Sequence, residues 1–584
     1  MEGSMFKVSH FIWSVAVLGT ASTGLFLGSG ESAHSDITKF NEILSQHDRM
    51  PGELIVKVKP SALLRSQAEI FDSNRFGISA IEPFETKADL FVIKLSSDEQ
   101  TAEFLQAAAS NPSIAYAEPN YILRALGTRD SANALEGESE LTPNDTDFGL
   151  LWGMKNTGQK DGSGVEGKIG ADISAAKAWA ITTGNREISV AVIDTGVDYN
   201  HPELKDNIFE NTGEIAGNGI DDDANGFIDD MRGWNFAGVS TNDPVDDNDH
   251  GTHCAGTIGA KGNDGNKIAG VTWNTRILPI KFLTASGSGS LADATKAIQY
   301  ATMMKVNIMS NSWGGGGFSQ TMFDAIKEAQ AKGILFIAAA GNDSQNSDNS
   351  AHYPAGYQLD NVFAVAATTN LDTLASFSTY GKRSVHIAAP GHKIYSSVSR
   401  GRYDTFSGTS MATPHVAGGA ALVWGTDTNM SYSQVKERLM KSRDFVPSLT
   451  RKVAASGRMN VYNAVMGIYP PSPEPSEDQW KDVEMAAPIE SAHPYTNSLK
   501  QEWAVEGPAD AKFLRVVLSK VDLENGYDFL KVVDSSGAEM DSVSGKAENY
   551  SSFYVTGNKL TLKLSTDASQ VGWGFAVAKV QAVY

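Results

Sequence analysis

Ser410 sits in GTSMATPHVAG, Gly408 to Gly418, a run of small residues that leads into a helix through Ala420 to Trp424. A serine placed there has the free backbone N–H groups of a helix N-terminus beside it, a ready site for an oxyanion. Taken alone, a serine before a helix is a cap. Two further stretches change that reading. In ISVAVIDTGVD, Ile188 to Asp198, an apolar run that reads as a buried strand ends in Asp194 and a glycine turn, where open parallel sheets place functional side chains. In DHGTHCAG, Asp249 to Gly256, His250 precedes another small-residue helix start. Serine is a weak nucleophile at neutral pH; it needs a base within hydrogen-bond reach, and a carboxylate to hold that base in the right tautomer. Asp194, His250 and Ser410 are one of each, in that chain order. Cys254 reads as a buried small hydrophobe, not a nucleophile.

The elements that must position these residues alternate from Asp145 to Gly467. ISVAVID, TRILPIKFL, VNIMSNSWG, GILFIAAAGN, VFAVAAT and VHIAAPG read as apolar strands, with LADATKAIQYATM and FSQTMFDAIKEAQAKG at helical spacing between them. That pattern predicts α/β architecture, a doubly wound, mostly parallel sheet covered on both faces. Before it, PGELIVKVK, SSDEQTAEFLQAAA, DLFVIKL and IAYAEPNYILRA predict a small α+β domain, followed by a polar linker. After it, YPPSPEPSEDQW is a proline-rich acidic linker. Beyond that, short alternating strands such as FLRVVLSKV and KLTLKLS predict an all-β sandwich.

The three chemical blocks, in their order, resemble those of the subtilisin-like serine proteases, thermitase-like members in particular. The resemblance covers about Pro51 to Gly467 and replaces no catalytic position. It implies that Asn342, in AAAGND, donates to the oxyanion together with the Ser410 N–H, such a donor being worth about 3 kcal/mol. It implies that Gly287, Ser288 and Gly289 of SGSGS and Ser312, Trp313 and Gly314 of SWGG flank the cleft, where a substrate adds as a strand. His352, before YPA, falls where the family lines its primary pocket, which argues against a simple preference for large apolar residues. The α+β domain resembles the family's propeptide, which folds the protease and then inhibits it; a large parallel sheet folds slowly and a template lowers that barrier.

The expected domains are therefore a signal peptide at 1–33, a propeptide at 34–126, a processing linker at 127–140, a catalytic domain at 141–468, a linker at 469–480 and a β-sandwich at 481–584. Lys7 before the apolar run Phe11 to Leu27 reads as a secretory signal, with an uncleaved anchor the competing reading. A net charge of −21 argues against nucleic acid or an anionic membrane as partner. Protein or peptide substrates, the chain's own propeptide as inhibitor, a monomeric state and an extracellular location follow from the resemblance.

Calcium is the expected cofactor. In NGIDDDANGFIDD, Asp221, Asp223 and Asn225 alternate, Gly226 makes a sharp turn and the Phe227 carbonyl follows, as in the first half of an EF-hand. Arg232 stands in place of the closing acid, so Asp230 is expected to complete that site. The family resemblance implies a second site with side chains of Asp145, Glu203 and Asp264 and carbonyls of Lys261, Asn266 and Ile268. The last domain resembles a CUB domain, which implies Glu524, Asp528 and Asp567 as ligands. The alternative is a catalytically silent secreted protein that presents the CUB-like domain; loss of a triad residue or of Asn342 would mark it, and none is lost.

Overall fold

The computed structural model describes residues 40, 44–45, 47–62, 67–71, 75–126, 128–130 and 140–584. The expected signal peptide and most of the 127–140 linker lie outside the described residues. Two compact units divide between Pro470 and Pro471.

Runs such as Leu335–Ala339 and Val362–Thr368 are apolar at nearly every position, so they must be buried on both faces, and every residue in them is. They belong to a nine-stranded sheet in the order Asp444–Phe445, Gly457–Arg458, Ile387–Pro390, Val362–Thr368, Leu335–Ala339, Ile308–Asn311, Gly184–Asp194, Asn274–Lys281, Trp234–Asn235. The first pair is antiparallel and the rest are parallel. Strand alternation sends successive side chains to opposite layers. Val190 and Val192 enter a core shared with helices His250–Gly259 and Thr409–Trp424. Ala191 and Ile193 enter one shared with helices Leu291–Met303 and Gln320–Ala331.

The N-terminal region is α+β as expected. Its antiparallel strands run Ile114–Ala125, Arg49–Val58, Lys87–Leu95, Ile78–Phe84, with helix Thr101–Ser110 on one face. The edge strand Ile78–Phe84 was not expected, because Pro83 and mostly unburied positions hide its strand pattern. Leu54 and Val56 face the region's own core with Phe104 and Leu105. Ile55, Val92, Tyr121 and Leu123 face the second core of the parallel sheet. This docking brings the buried Glu118 to the start of helix Gln320–Ala331, where it accepts from Ser319 Oγ at 2.9 Å, Gln320 N–H at 2.9 Å and Thr321 N–H at 3.1 Å. A carboxylate there satisfies N–H groups that the helix leaves free.

From Lys481 onward the described residues form two antiparallel sheets around one apolar core, with Leu560, Leu562 and Leu564 alternating inward along Lys559–Ser565. No helix among the described residues is long and apolar enough to cross a membrane.

Arg458, 2% exposed, holds the sheet edge to the loops below it. Its guanidinium donates to the carbonyls of Asp172 at 2.7 Å and Gly170 at 3.0 Å, to Asp444 Oδ2 at 2.7 Å and to the Asp372 carboxylate. Removing one member of a buried charged network strands its partners. In an inactive Ser410→Ala background, Arg458→Ala is expected to lower the unfolding free energy by about 3 kcal/mol; a urea midpoint equal to the parent's would refute this.

Candidate active site

Asp194 ends the interior strand Gly184–Asp194 and is fully buried. Its Oδ1 lies 2.7 Å from Nδ1 of His250, the first residue of helix His250–Gly259. The approach is tight: a β-carbon at Gly251 would meet the Gly196 carbonyl at 2.0 Å. Two residues not singled out in the sequence brace the pair. Thr195 Oγ1 accepts from the Gly251 N–H at 2.9 Å and donates to Asp246 Oδ1 at 2.8 Å. Asp246 Oδ2 in turn accepts from Thr252 N–H and Oγ1 at 2.9 and 2.6 Å. Strand and helix are thus tied through a buried threonine and a buried acid. By residue type, Asp246 is indistinguishable from Asp243 and Asp247 beside it, so only packing singles it out.

Burial alone would lower the His250 pKa; the charge and hydrogen bond of Asp194, with a smaller contribution from the charge of Asp246, outweigh it, and the net shift is upward. His250 Nε2 is buried without a hydrogen-bond partner, free to take a proton. Ser410, also fully buried, is the second residue of helix Thr409–Trp424. Its hydroxyl donates to the Ser312 carbonyl at 2.8 Å, so the hydrogen bond expected to His250 is not formed in this arrangement. The helix interior holds Pro414, which has no N–H for the Ser410 carbonyl four residues earlier. That carbonyl accepts instead from Ser312 Oγ at 3.0 Å and Cys254 Sγ at 3.5 Å. Cys254 is fully buried and burial pushes its thiol pKa well up, which keeps it an inert thiol. Asn342 follows strand Leu335–Ala339, and its Oδ1 accepts from Thr409 N–H and Oγ1, each at 2.9 Å. With the oxygen committed, the amide NH₂ is the end left to donate.

The subtilase family (Peptidase S8) matches residues 185–465. A thermophilic serine proteinase of Bacillus sp. (strain AK1) is 34% identical over 430 residues, 73% of this chain and 90% of that protein. The chain belongs to the subtilase family. Thermitase of Thermoactinomyces vulgaris is 37% identical over 293 residues, 50% of this chain and 93% of thermitase. Subtilisin-like protease 1 of Plasmodium falciparum (isolate 3D7) is 37% identical over 295 residues, 47% of this chain and 43% of that protein. This subtilase is a subtilisin-like serine endopeptidase.

The segments expected to flank its cleft are Ser288–Ser290 and Trp313–Gly314, both extended. Gly289 and Gly314 are required by close approach: a β-carbon would meet the Phe282 carbonyl at 2.3 Å or His352 Nε2 at 2.4 Å. Gly287 adopts a φ of +73°. His352 therefore packs on the Gly314 strand; its Nε2 is buried without a hydrogen-bond partner, and burial lowers its pKa.

Among the described residues, three acidic clusters outside the subtilase's Asp194–His250 pair have donor sets suited to a cation. Asp145, Glu203 and Asp264 each place a carboxylate oxygen within 4.8 Å of the others. Burial raises the Glu203 pKa and raises that of Asp145 to about 6, and each of the two has one buried oxygen without a hydrogen-bond partner. Oxygen donors desolvated in this way fit a hard divalent cation such as calcium. Lys261 N–H donates to the Glu203 carbonyl and Ile268 N–H to Glu203 Oε1, while the Asn266 carbonyl accepts from Thr146 N–H. The second cluster differs from the EF-hand-like expectation: its mutually close carboxylates are Glu214, Asp223 and Asp230, and Asp221 is not among them. Asp221 accepts the backbone N–H groups of Asn225 and Gly226 within its own turn. The Asn225 oxygen accepts from Phe227 N–H while its NH₂ donates to Asp223 and Asp230. The Phe227 side chain is buried against Tyr300. Glu214 was missed because six residues separate it from Asp221, where the Asp-rich run begins. The third cluster is Glu524, Asp528 and Asp567, with Asp528 also bonded to Tyr495 OH.

Asn342→Ala is expected to lower kcat on a peptide substrate by about 100- to 1,000-fold with KM little changed. Asp194→Asn is expected to cost about 10⁴-fold in kcat. Because Asp194 is what raises the His250 pKa, its residual kcat/KM should also stay base-competent to lower pH, moving the acid limb of the profile downward. An unmoved limb would separate His250 from that limb.

Proposed function

We propose that this subtilase is a secreted, calcium-stabilised endopeptidase, made as a self-processing zymogen, with Asp194, His250 and Ser410 as its triad. The observation that carries the proposal is the buried 2.7 Å contact of His250 Nδ1 with Asp194 Oδ1, which leaves the unpartnered Nε2 available to Ser410. Ser410 Oγ attacks the scissile carbonyl as its proton passes to His250 Nε2. Asp194 steadies the resulting imidazolium, and the Ser410 N–H and Asn342 NH₂ take the negative charge that develops on oxygen. The imidazolium then protonates the leaving amine, and water hydrolyses the acyl-enzyme. Substrate backbone adds between Gly287–Gly289 and Ser312–Gly314, with His352 at the wall of the primary pocket.

The zymogen reading is supported by the N-terminal region docking its sheet face onto the catalytic core and running its last strand into the same cleft. Secretion rests on the apolar N-terminal run after Lys7. Protein substrates, the monomeric state and a CUB-like role for the C-terminal unit are part of the same proposal. Residues Asp145, Glu203 and Asp264 would hold one calcium, Glu214, Asp223 and Asp230 another, and Glu524, Asp528 and Asp567 a third; bound calcium would neutralise acids that burial otherwise strains.

Wild type is expected to hydrolyse casein and Ser410→Ala to be inert while still folded; equal hydrolysis by both would overturn the triad. For calcium, a ligand at a hundredfold its Kd adds about 2.7 kcal/mol to the folded state. Chelation should therefore lower the melting temperature of folded Ser410→Ala by about 5 °C. Glu203→Gln should shrink that difference; a melting temperature indifferent to chelator would dismiss structural calcium.

A further inference from the structure

The strand Ile114–Ala125 leaves the N-terminal sheet and becomes the middle strand of an antiparallel trio. Ile122, Leu123 and Arg124 lie opposite Ser290, Gly289 and Ser288, while Arg124 and Ala125 lie opposite Gly314 and Trp313. The ladder runs one residue further, with Ala125 N–H donating to the Gly287 carbonyl at 3.0 Å and Leu126 N–H to the Ser312 carbonyl at 3.1 Å. At Leu126 the partner changes. Its carbonyl oxygen accepts from the Ser410 N–H at 3.3 Å. That N–H belongs to the first turn of helix Thr409–Trp424 and has no intrahelical acceptor. Past this point Thr128, Arg129 and Asp130 pair antiparallel with Ser407, Phe406 and Thr405, on the strand that leads into the same helix. Strand pairing thus holds the chain on both sides of one carbonyl group, the one seated on the nucleophile's own amide.

We infer that maturation breaks the peptide bond on the carboxyl side of Leu126, and that each molecule cuts itself. The inference rests on the self-processing reading proposed above. Ser410 Oγ turns from the Ser312 carbonyl to His250 Nε2 and gives it a proton while its lone pair adds to the Leu126 carbonyl carbon. The carbonyl electron pair moves onto an oxygen already on the Ser410 N–H. Collapse breaks the C–N bond, and the nitrogen of residue 127 leaves as an amine carrying the proton from His250. One water then adds to the Leu126–Ser410 ester; its proton passes through His250 to Ser410 Oγ, and Leu126 is released as a carboxylate. The small, polar composition of 131–139 would make that stretch the natural place for an outside protease to nick. A bond held by pairing on both flanks has instead lost the entropy that a nick elsewhere must still give up.

The test follows purified full-length wild type, Ser410→Ala and Leu126→Asp over time by intact mass and terminal sequencing, at two protein concentrations tenfold apart. The earliest fragments of wild type should end at Leu126 and begin at Gly127, at a rate independent of concentration. Ser410→Ala should stay full length. Leu126→Asp, folded with the melting temperature of Ser410→Ala, should mature at least tenfold more slowly. An earliest cut elsewhere that still needs Ser410 overturns the assignment of the bond and leaves self-processing standing. A rate proportional to concentration overturns the intramolecular step. A wild type that stays full length, or a Ser410→Ala that matures like it, overturns the self-processing reading and this inference with it.

Discussion

Asp194 and His250 bury a carboxylate and an imidazole against each other at 2.7 Å, and neither group could be buried alone without a heavy desolvation penalty. Most of the local architecture answers that constraint. The acid sits at the end of an interior strand of the parallel sheet, third from its edge, and the imidazole sits at the start of a helix on the face that carries Val190 and Val192. Thr195 and Asp246 lock the two elements together through hydrogen bonds of 2.6 to 2.9 Å. Lys281, almost fully buried beside them, spends its three protons on the Thr195 and Leu283 carbonyls and on Asp247, each at 2.7 Å. The site is stiff because every polar group that supports the pair is itself supported.

The Ser410 helix meets the same constraint by a different device. All of its residues from Thr409 to Trp424 are buried, so its backbone polar groups have no water to turn to. Pro414 opens a gap in the ladder at the Ser410 carbonyl, and Ser312 and Cys254 fill it from two other elements. The lone cysteine is therefore a packing and hydrogen-bonding residue. Ser312 has two duties: its hydroxyl fastens the Ser410 carbonyl, while its own carbonyl receives both the Ser410 hydroxyl and the Leu126 N–H.

The N-terminal region connects folding with function through one strand. At its start, Ile114–Ala125 belongs to a small sheet with its own core; near its end, its side chains Tyr121 and Leu123 belong to the core of the large sheet. Glu118, between those ends, terminates the free N–H groups of helix Gln320–Ala331. A parallel sheet whose neighbours come from distant parts of the chain has high contact order and folds slowly. Under the zymogen reading proposed above, a preformed strand and carboxylate that fix one helix and two further strands would reduce that search.

The pairing of Asp194 with His250 was legible in the sequence, because each lies in a long motif whose small residues are imposed by close approach, as at Gly196 and Gly251. The parallel sheet was legible too, since strands buried on both faces must be apolar throughout, and so was the N-terminal α+β region apart from the exposed edge strand Ile78–Phe84. What could not be read were relations between residues far apart in the chain. Glu214 joins Asp223 and Asp230 only because a loop folds back, while Asp221, ideal by spacing, accepts the N–H groups of its own turn. Asp246 is singled out from its acidic neighbours only by contact with Thr195 and Thr252. Residue type and local period fix which chemistry a chain can do and which elements carry it. Which oxygen, N–H or carbonyl is left free to do it depends on competition among hydrogen-bond partners, and only the tertiary structure decides that.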